Sequence, residues 1–166
     1  MMSIRSYLEA HQVLHEVLLH RPVSCASRRA HGLSVKGRTV AKSVLLDVGG
    51  QHWLAVLPAT HRIDLDRLRR APGLSELQIA TPADLAARFR DCELGAVPPF
   101  GRLYDLPVVV DASLGAVGSI VCETNFRHQS VRIRYRDFES LERPLKARFA
   151  VHSAPPQKLI RRSCAG

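Results

Sequence analysis

The chain has no cysteine pair at metal-ligand or redox spacing. Cys25, Cys92, Cys122 and Cys164 are scattered, with no C-x-x-C among them, so neither a zinc site nor a disulfide framework is expected. They read as reduced thiols in the core or at the surface. No apolar run approaches the ~18–20 residues that span a bilayer. The stretch 4–19 is broken by Arg5, Glu9, His11, His15 and Glu16, which also argues against a signal peptide. The expectation is a cytoplasmic protein without membrane attachment. No Walker loop, dinucleotide fingerprint, heptad seam or internal repeat is present, which removes the common nucleotide-binding, coiled-coil and solenoid classes. His11 and His15 have the i,i+4 spacing of a metal pair. No glutamate follows His11 as H-E-x-x-H requires, and no metal site is expected.

Acidic residues are the minority, 15 against 24 basic, for a net charge of +9. Arginines cluster at Arg28 and Arg29, at Arg67, Arg69 and Arg70, over 127–136 and over 143–148. A basic surface concentrates polyanions and speeds their encounter, nucleic acid foremost. Plain solubility explains the same number. With 166 residues, 46% apolar and 23% charged, the chain fits one globular domain with a sizeable core.

Local patterns divide the chain. Ser3 is placed to cap a first helix, followed by a strand that ends before Pro22. Two apolar runs, 40–47 and 52–57, are split by Gly49 and Gly50, a hairpin signal. A short helix is expected over 64–70 and a strand over 77–80. Thr81, Pro82 and Asp84 supply a cap, a proline in the first turn and an acid, so 82–90 reads as helix. Strands are expected over 107–111, 119–122 and 130–135, and a last helix from 137 stops before Pro144. A domain over 1–150 and a basic, disordered tail over 151–166 complete the division. Short strands and helices without regular βαβ alternation indicate α+β with a large mixed sheet.

Two segments carry chemistry. On the strand 40–47, Val40, Lys42, Val44 and Leu46 share one face, and Ala41, Ser43 and Leu45 the other. Both faces are apolar, so Lys42 is expected to project toward the interior or a pocket wall, where an ammonium needs a partner; the alternative is a lysine snorkelling at the strand's start. The second segment is Gly95-Ala96-Val97-Pro98-Pro99-Phe100-Gly101. Its prolines remove two backbone N–H groups and fix φ, while the flanking glycines allow unusual turns. Such a loop is stiff, and its remaining amides can be aimed at a ligand; a purely structural Pro-Pro turn is the alternative. A rigid loop with a lysine in an apolar strand suggests a small anionic or polyhydroxylated ligand.

The segments TVAKSVLLD (39–47), LAVLPATHRIDLDRLRR (54–70), DCELGAVPPFG (91–101), LYDLPVVVDASL (103–114) and VRIRYRDFESL (131–141) together resemble the YbaK/ProRS-associated domain family. Its members are free-standing aminoacyl-tRNA deacylases and the editing insertion of bacterial prolyl-tRNA synthetase. The similarity runs in order from about Ser3 to Arg143. It implies a mixed, curved, barrel-like β-sheet surrounded by helices, with a pocket at one end. By the same resemblance, Lys42 would contact the terminal ribose or phosphate of tRNA and offset charge in the transition state. Amides near Ala96 and Val97, or near Gly101, would polarise the ester carbonyl. Gly95 and Gly101 would count with Lys42 as the catalytic positions, and the fixed walls of Ala96, Val97, Pro98, Pro99 and Phe100 would limit the pocket to small side chains. Ser43, beside the lysine but pointing away from it, is a lesser candidate for contact with the adenosine. Ser24 and Cys25 lie where the family often has a pocket threonine. The family's glycine–histidine segment corresponds to 124–129, where Gly–Asp–His or Gly–Ser–His is missing; His128 is the candidate in its place, or Arg127.

The expected function is trans-editing: hydrolysis of a mischarged aminoacyl-tRNA carrying a small amino acid, by positioning of the 3′-terminal ester rather than by a side-chain nucleophile. No metal or organic cofactor is implied. The partners implied are tRNA and an aminoacyl-tRNA synthetase, with no DNA. The altered 124–129 segment motivates the alternative, a catalytically inactive tRNA- or synthetase-binding module of the same fold.

Overall fold

The computed structural model describes residues 2–22, 29–30 and 32–153. Helix boundaries follow local chemistry. Ser3 caps α1 (Ile4–Ala10), its hydroxyl accepting the Ser6 amide at 3.2 Å. Asp64 caps α2 (Leu65–Arg69) through the Arg67 amide at 3.0 Å. At α3 (Pro82–Arg88) a reciprocal capping box forms. The Thr81 hydroxyl accepts the Asp84 amide, and the Asp84 carboxylate accepts the Thr81 amide, each at 3.1 Å. α4 (Tyr135–Glu142) stops at Arg143, which is left-handed with φ 45° ahead of Pro144. Because α1 ends at Ala10, His11 and His15 share no helix face; their rings bond the carbonyls of Tyr7 and Val13.

The described residues form ten strands: β1 (Glu16–Leu19), β2 (Ala41–Val48), β3 (Gln51–Pro58), β4 (His61–Ile63), β5 (Leu77–Ile79), β6 (Val108–Asp111), β7 (Ser119–Glu123), β8 (Gln129–Arg134), β9 (Leu145–Ala147) and β10 (Ala150–His152). Gly49 and Gly50, both at positive φ, make the tight β2–β3 turn that the right-handed strand twist favours. A five-stranded mixed sheet has the order β5-β2-β3-β6-β9, with β6 parallel to both its neighbours. An antiparallel sheet β1-β8-β7 meets it at one bridge, Val40 to Val121. The fold is α+β with a curved mixed sheet, as expected, and the sheet is not closed.

Side-chain alternation assigns each face of the large sheet its own core. Leu45, Leu54 and Val56 pack on one side with α1, α4, β7 and β8, through Ile4, Leu8, Phe138, Ile120 and Val131. Leu46, Ala55, Leu57 and Val109 pack on the other with Leu68 of α2, Leu74 and Phe149. At roughly 1.5–3 kcal/mol for each large apolar side chain fully buried, these two layers supply the main stabilisation. A small third cluster of Ala30, Val40, Ala59 and Val121 sits at the joint between the sheets.

Three strands run against the sequence reading: β4, β9 and β10. β10 pairs with β4, His152 opposite His61 and Val151 opposite Arg62, so the tail expected from 151 begins instead with a paired strand. Asp111 explains the order there. Its Oδ2 accepts the Phe149 and Ala150 amides, both at 2.8 Å, and its Oδ1 accepts the Ser113 amide and hydroxyl. Burial pushes its carboxyl up, but these bonds together outweigh burial and hold it below the usual range. Residues 154–166, which make up the rest of that tail, lie outside the described residues.

Candidate functional site

The stiff loop is fastened at both ends by side chains from distant elements. At its entry, Asn125 is the hub. Its side-chain amide donates to Asp91 Oδ2 at 3.0 Å and to the Tyr104 hydroxyl at 3.1 Å, its Oδ1 accepts the Ile4 amide, and its carbonyl accepts the Glu93 amide. In the middle, Glu123 Oε2 accepts the Val97 amide at 3.0 Å. Glu123 is itself ion-paired with Arg29, which is fully buried. Burial pushes the Glu123 carboxyl up, with Arg29 and the Val97 amide opposing that shift. At the exit, Glu142 Oε2 accepts the Arg102 amide at 2.9 Å, the Gly101 amide also bonds it, and Tyr7 donates its hydroxyl to Oε1 at 3.3 Å. Burial pushes the Glu142 carboxyl up to about 7 against those donors.

This fastening divides the expected site residues. Gly95, Ala96 and Val97 line a groove beneath α3, with Leu85, Phe89 and Cys92, of about 230 Å³. A second cavity of about 220 Å³ shares Pro82, Leu85 and Val97 with it and extends to Ser43, Val44 and Leu45 of β2. The other half of the loop belongs to the core. Pro98 and Pro99 are buried, and Phe100 is fully buried edge-on between Tyr7 and Phe138. Gly101 is packed so closely that an added Cβ would lie 2.5 Å from Val108 Cγ2 and 2.6 Å from the Leu106 carbonyl oxygen. Its glycine is therefore required by packing.

The amides expected to polarise an ester carbonyl are largely occupied. Ala96 donates to the Glu93 carbonyl at 2.9 Å, Val97 to Glu123 and Gly101 to Glu142. Gly95 is different: it is exposed at the groove, at φ 86°, and its amide makes no hydrogen bond among the described residues. Ser43 also differs from expectation. Its hydroxyl is buried on the groove side of β2 and has no hydrogen-bond partner among the described residues.

Lys42 lies by alternation on the opposite face of β2, with Val44 and Leu46. It is not among the residues lining the groove or the cavity beside Ser43. It stands near His61: burial and the His152 ring push the His61 pKa down, and the Lys42 charge adds to that. His128 is exposed, its ring against Phe126 at 5.7 Å between centroids and its carbonyl accepting the His20 amide. It is not among the residues lining the groove. Ser24 and Cys25 lie outside the described residues. Cys92, at the groove, is held in its thiol form, burial pushing its pKa up to about 11.

Sequence reasoning missed Glu123, Glu142 and Asn125 as determinants of the loop. Asn125 falls in the 124–129 segment, whose departure from the expected pattern now has a structural meaning: it clamps the loop entry.

An α+β fold with a side-chain-clamped Pro-Pro loop over an apolar groove defines the class. The family model of the aminoacyl-tRNA editing domain matches residues 20–141, and the chain belongs to that family. A proline–tRNA ligase from Cupriavidus taiwanensis is 28% identical over 102 residues, 59% of this chain and 18% of the ligase. The prolyl-tRNA editing protein ProX of Acetoanaerobium sticklandii is 31% identical over 97 residues, 56% of this chain and 58% of that protein. The matches thus span less than two thirds of these relatives' lengths. Among solved structures, a protein described only as hypothetical superposes with a TM-score of 0.80 at 16% identity, covering 89% of this chain and 99% of that one. A second, described as a candidate trans-editing enzyme for prolyl tRNA synthetase, superposes with a TM-score of 0.76 at 19% identity, covering 91% and 95%. At these identities the likeness is one of fold.

Proposed function

We propose that the chain is a trans-editing hydrolase that deacylates mischarged aminoacyl-tRNA bearing a small amino acid. The observation that carries this reading is the clamped groove between Ser43 and the 95–97 segment, in a chain of the aminoacyl-tRNA editing family. The amino-acid part would enter the groove. The Gly95 amide and the Ser43 hydroxyl are the unengaged donors there, and they would bond the aminoacyl carbonyl as charge develops on its oxygen. Water attacks the carbonyl carbon, the bond to the ribose oxygen breaks, and that oxygen takes the proton. The products are free amino acid and tRNA. An aminoacyl ester is already activated, so holding it beside water and the neighbouring ribose hydroxyl is sufficient chemistry. Lys42 would act from the other side of β2, meeting a phosphate of the 3′ end where the strand begins. A cavity of about 220 Å³ suits a small side chain.

The test is hydrolysis of alanyl-, cysteinyl- and seryl-tRNA by the wild type, Lys42→Ala and Ser43→Ala. The expected result is hydrolysis of at least one substrate, slowed by each change. Equal rates for wild type and Lys42→Ala on every substrate would remove the lysine's role. One observation favours a second reading, binding without hydrolysis: the Ala96, Val97 and Gly101 amides are already taken. Tight tRNA binding with no deacylation across a full panel would establish it. Association with a synthetase belongs to either reading, and co-purification with prolyl-tRNA synthetase measures it.

A further inference from the structure

We propose that a notch between α2 and the segment joining β9 to β10 is a seat for the phosphodiester backbone of the RNA, distinct from the groove that takes the amino acid. The notch has a volume of about 430 Å³ and is lined by Arg67, Arg70, Ala71, Ala147 and Arg148. Three guanidinium groups from two elements thus converge on one depression, and no carboxylate lines it. All three arginines are exposed. Arg67 has a partner, Asp64 at 3.4 Å, in a pair that water screens. Arg70 and Arg148 make no ion pair among the described residues. Arg70 and Arg148 therefore add positive charge beside Arg67 that no carboxylate balances, and an anion relieves the resulting repulsion while forming paired N–H···O bonds.

The ligand class follows from the surroundings. Ala71, Ala147 and Leu68 belong to the core layer on the same sheet face as Lys42 and its neighbours Val44 and Leu46. Further cations stand on that side: Arg69 on α2, paired with Asp66, and exposed Arg62 on the β4–β10 pair. Basic groups spread over one face suit a polymer of phosphates better than a single small anion. The exposed large apolar residues, Met2, Leu14, Leu19, Ile79, Leu94 and Phe126, all lie off α2, β9 and β10, so this face lacks the apolar centre of a protein interface. The groove and the notch stand on opposite faces of the large sheet, and the start of β2 is where an RNA end would pass between them. This inference rests on the reading that the substrate is an aminoacyl-tRNA.

The experiment measures binding of deacylated tRNA to the full chain by fluorescence anisotropy over 50–200 mM salt, for wild type, Arg70→Gln/Arg148→Gln, and Arg5→Gln/Arg136→Gln. The last pair removes the same charge from α1 and α4, which cover the other sheet face. Losing two phosphate contacts weakens binding roughly tenfold or more near physiological salt and flattens the slope of log Kd against log salt by about 1.8. The control pair should have a clearly smaller effect on both. Equal effects in the two double variants, or wild-type binding by Arg70→Gln/Arg148→Gln, would overturn the notch. Hydrolysis of a short aminoacylated CCA fragment is measured alongside, and the notch variant should keep the wild-type rate on it. Selective loss of RNA binding without any hydrolysis by wild type leaves the notch standing and removes the deacylase reading. Hydrolysis with unchanged binding in the variant does the reverse.

Discussion

Glu142 and Arg102 are joined by a 2.9 Å bond from the Arg102 amide to the buried carboxylate, across 40 residues of sequence. The last turn of α4 therefore holds the exit of the Pro-Pro loop, and the loop's shape depends on a group that titrates.

Stability should carry the mark of that carboxyl. In the unfolded chain it titrates near 4.3, and in the fold burial raises it to about 7. Between these values the folded state binds more protons than the unfolded one, so stability falls as pH rises through that window and levels off above it. A proton retained up to about 7 corresponds to roughly 4 kcal/mol over the whole window. Urea denaturation at pH 5 and pH 8 should show wild type losing stability at the higher pH, and Glu142→Gln losing most of that difference. The same pH difference in both proteins would refute the assignment.

Glu123→Ala should be among the most damaging single changes. It leaves the Arg29 guanidinium buried without its counter-charge and frees the Val97 amide. Breaking a buried pair from one side costs about 3–5 kcal/mol. Glu123→Gln keeps an acceptor for Val97 and should cost less. Chemical denaturation of both variants checks the order.

Gly101→Ala drives a methyl group into Val108 and the Leu106 carbonyl. Overpacking of this kind costs roughly 1–3 kcal/mol. A melting temperature equal to wild type would mean that the loop exit relaxes freely.

Ser43→Ala separates structure from chemistry. Removing a buried hydroxyl with no partner among the described residues should leave stability unchanged or raise it by up to about 1 kcal/mol. If the hydroxyl bonds the substrate, kcat/KM for deacylation falls roughly tenfold, the equivalent of about 1.4 kcal/mol. Lower stability together with full activity would show the hydroxyl to be structural.

What the sequence made legible was local. Thr81, Pro82 and Asp84 announce a helix start because the capping bonds lie within one turn. Gly49 and Gly50 announce the β2–β3 hairpin because only glycine readily takes both positive φ values. β4, β9 and β10 have three residues each and were hidden, since their partners come from far along the chain. Alternation puts Lys42 and Ser43 on opposite faces, but which face holds the groove depends on where α3 and the loop settle. For the same reason the Val97 and Gly101 amides read as available. Their acceptors, Glu123 and Glu142, sit in other elements, and nothing in 95–101 reveals them.

The two larger sheets share one backbone bridge, Val40 to Val121, and otherwise meet through packed side chains. One wall of the groove, Ser43 to Leu45, rides on the five-stranded sheet, while the opposite wall is tethered to β7 through Glu123. With so little backbone pairing between the sheets, the spacing of the two walls is set by the side chains packed where they meet. Trimming one of them, as in Val121→Ala, should let the walls close and shift preference toward smaller aminoacyl groups, read as the ratio of alanyl- to seryl-tRNA hydrolysis. Selectivity in this fold can then drift through substitutions that never meet the substrate.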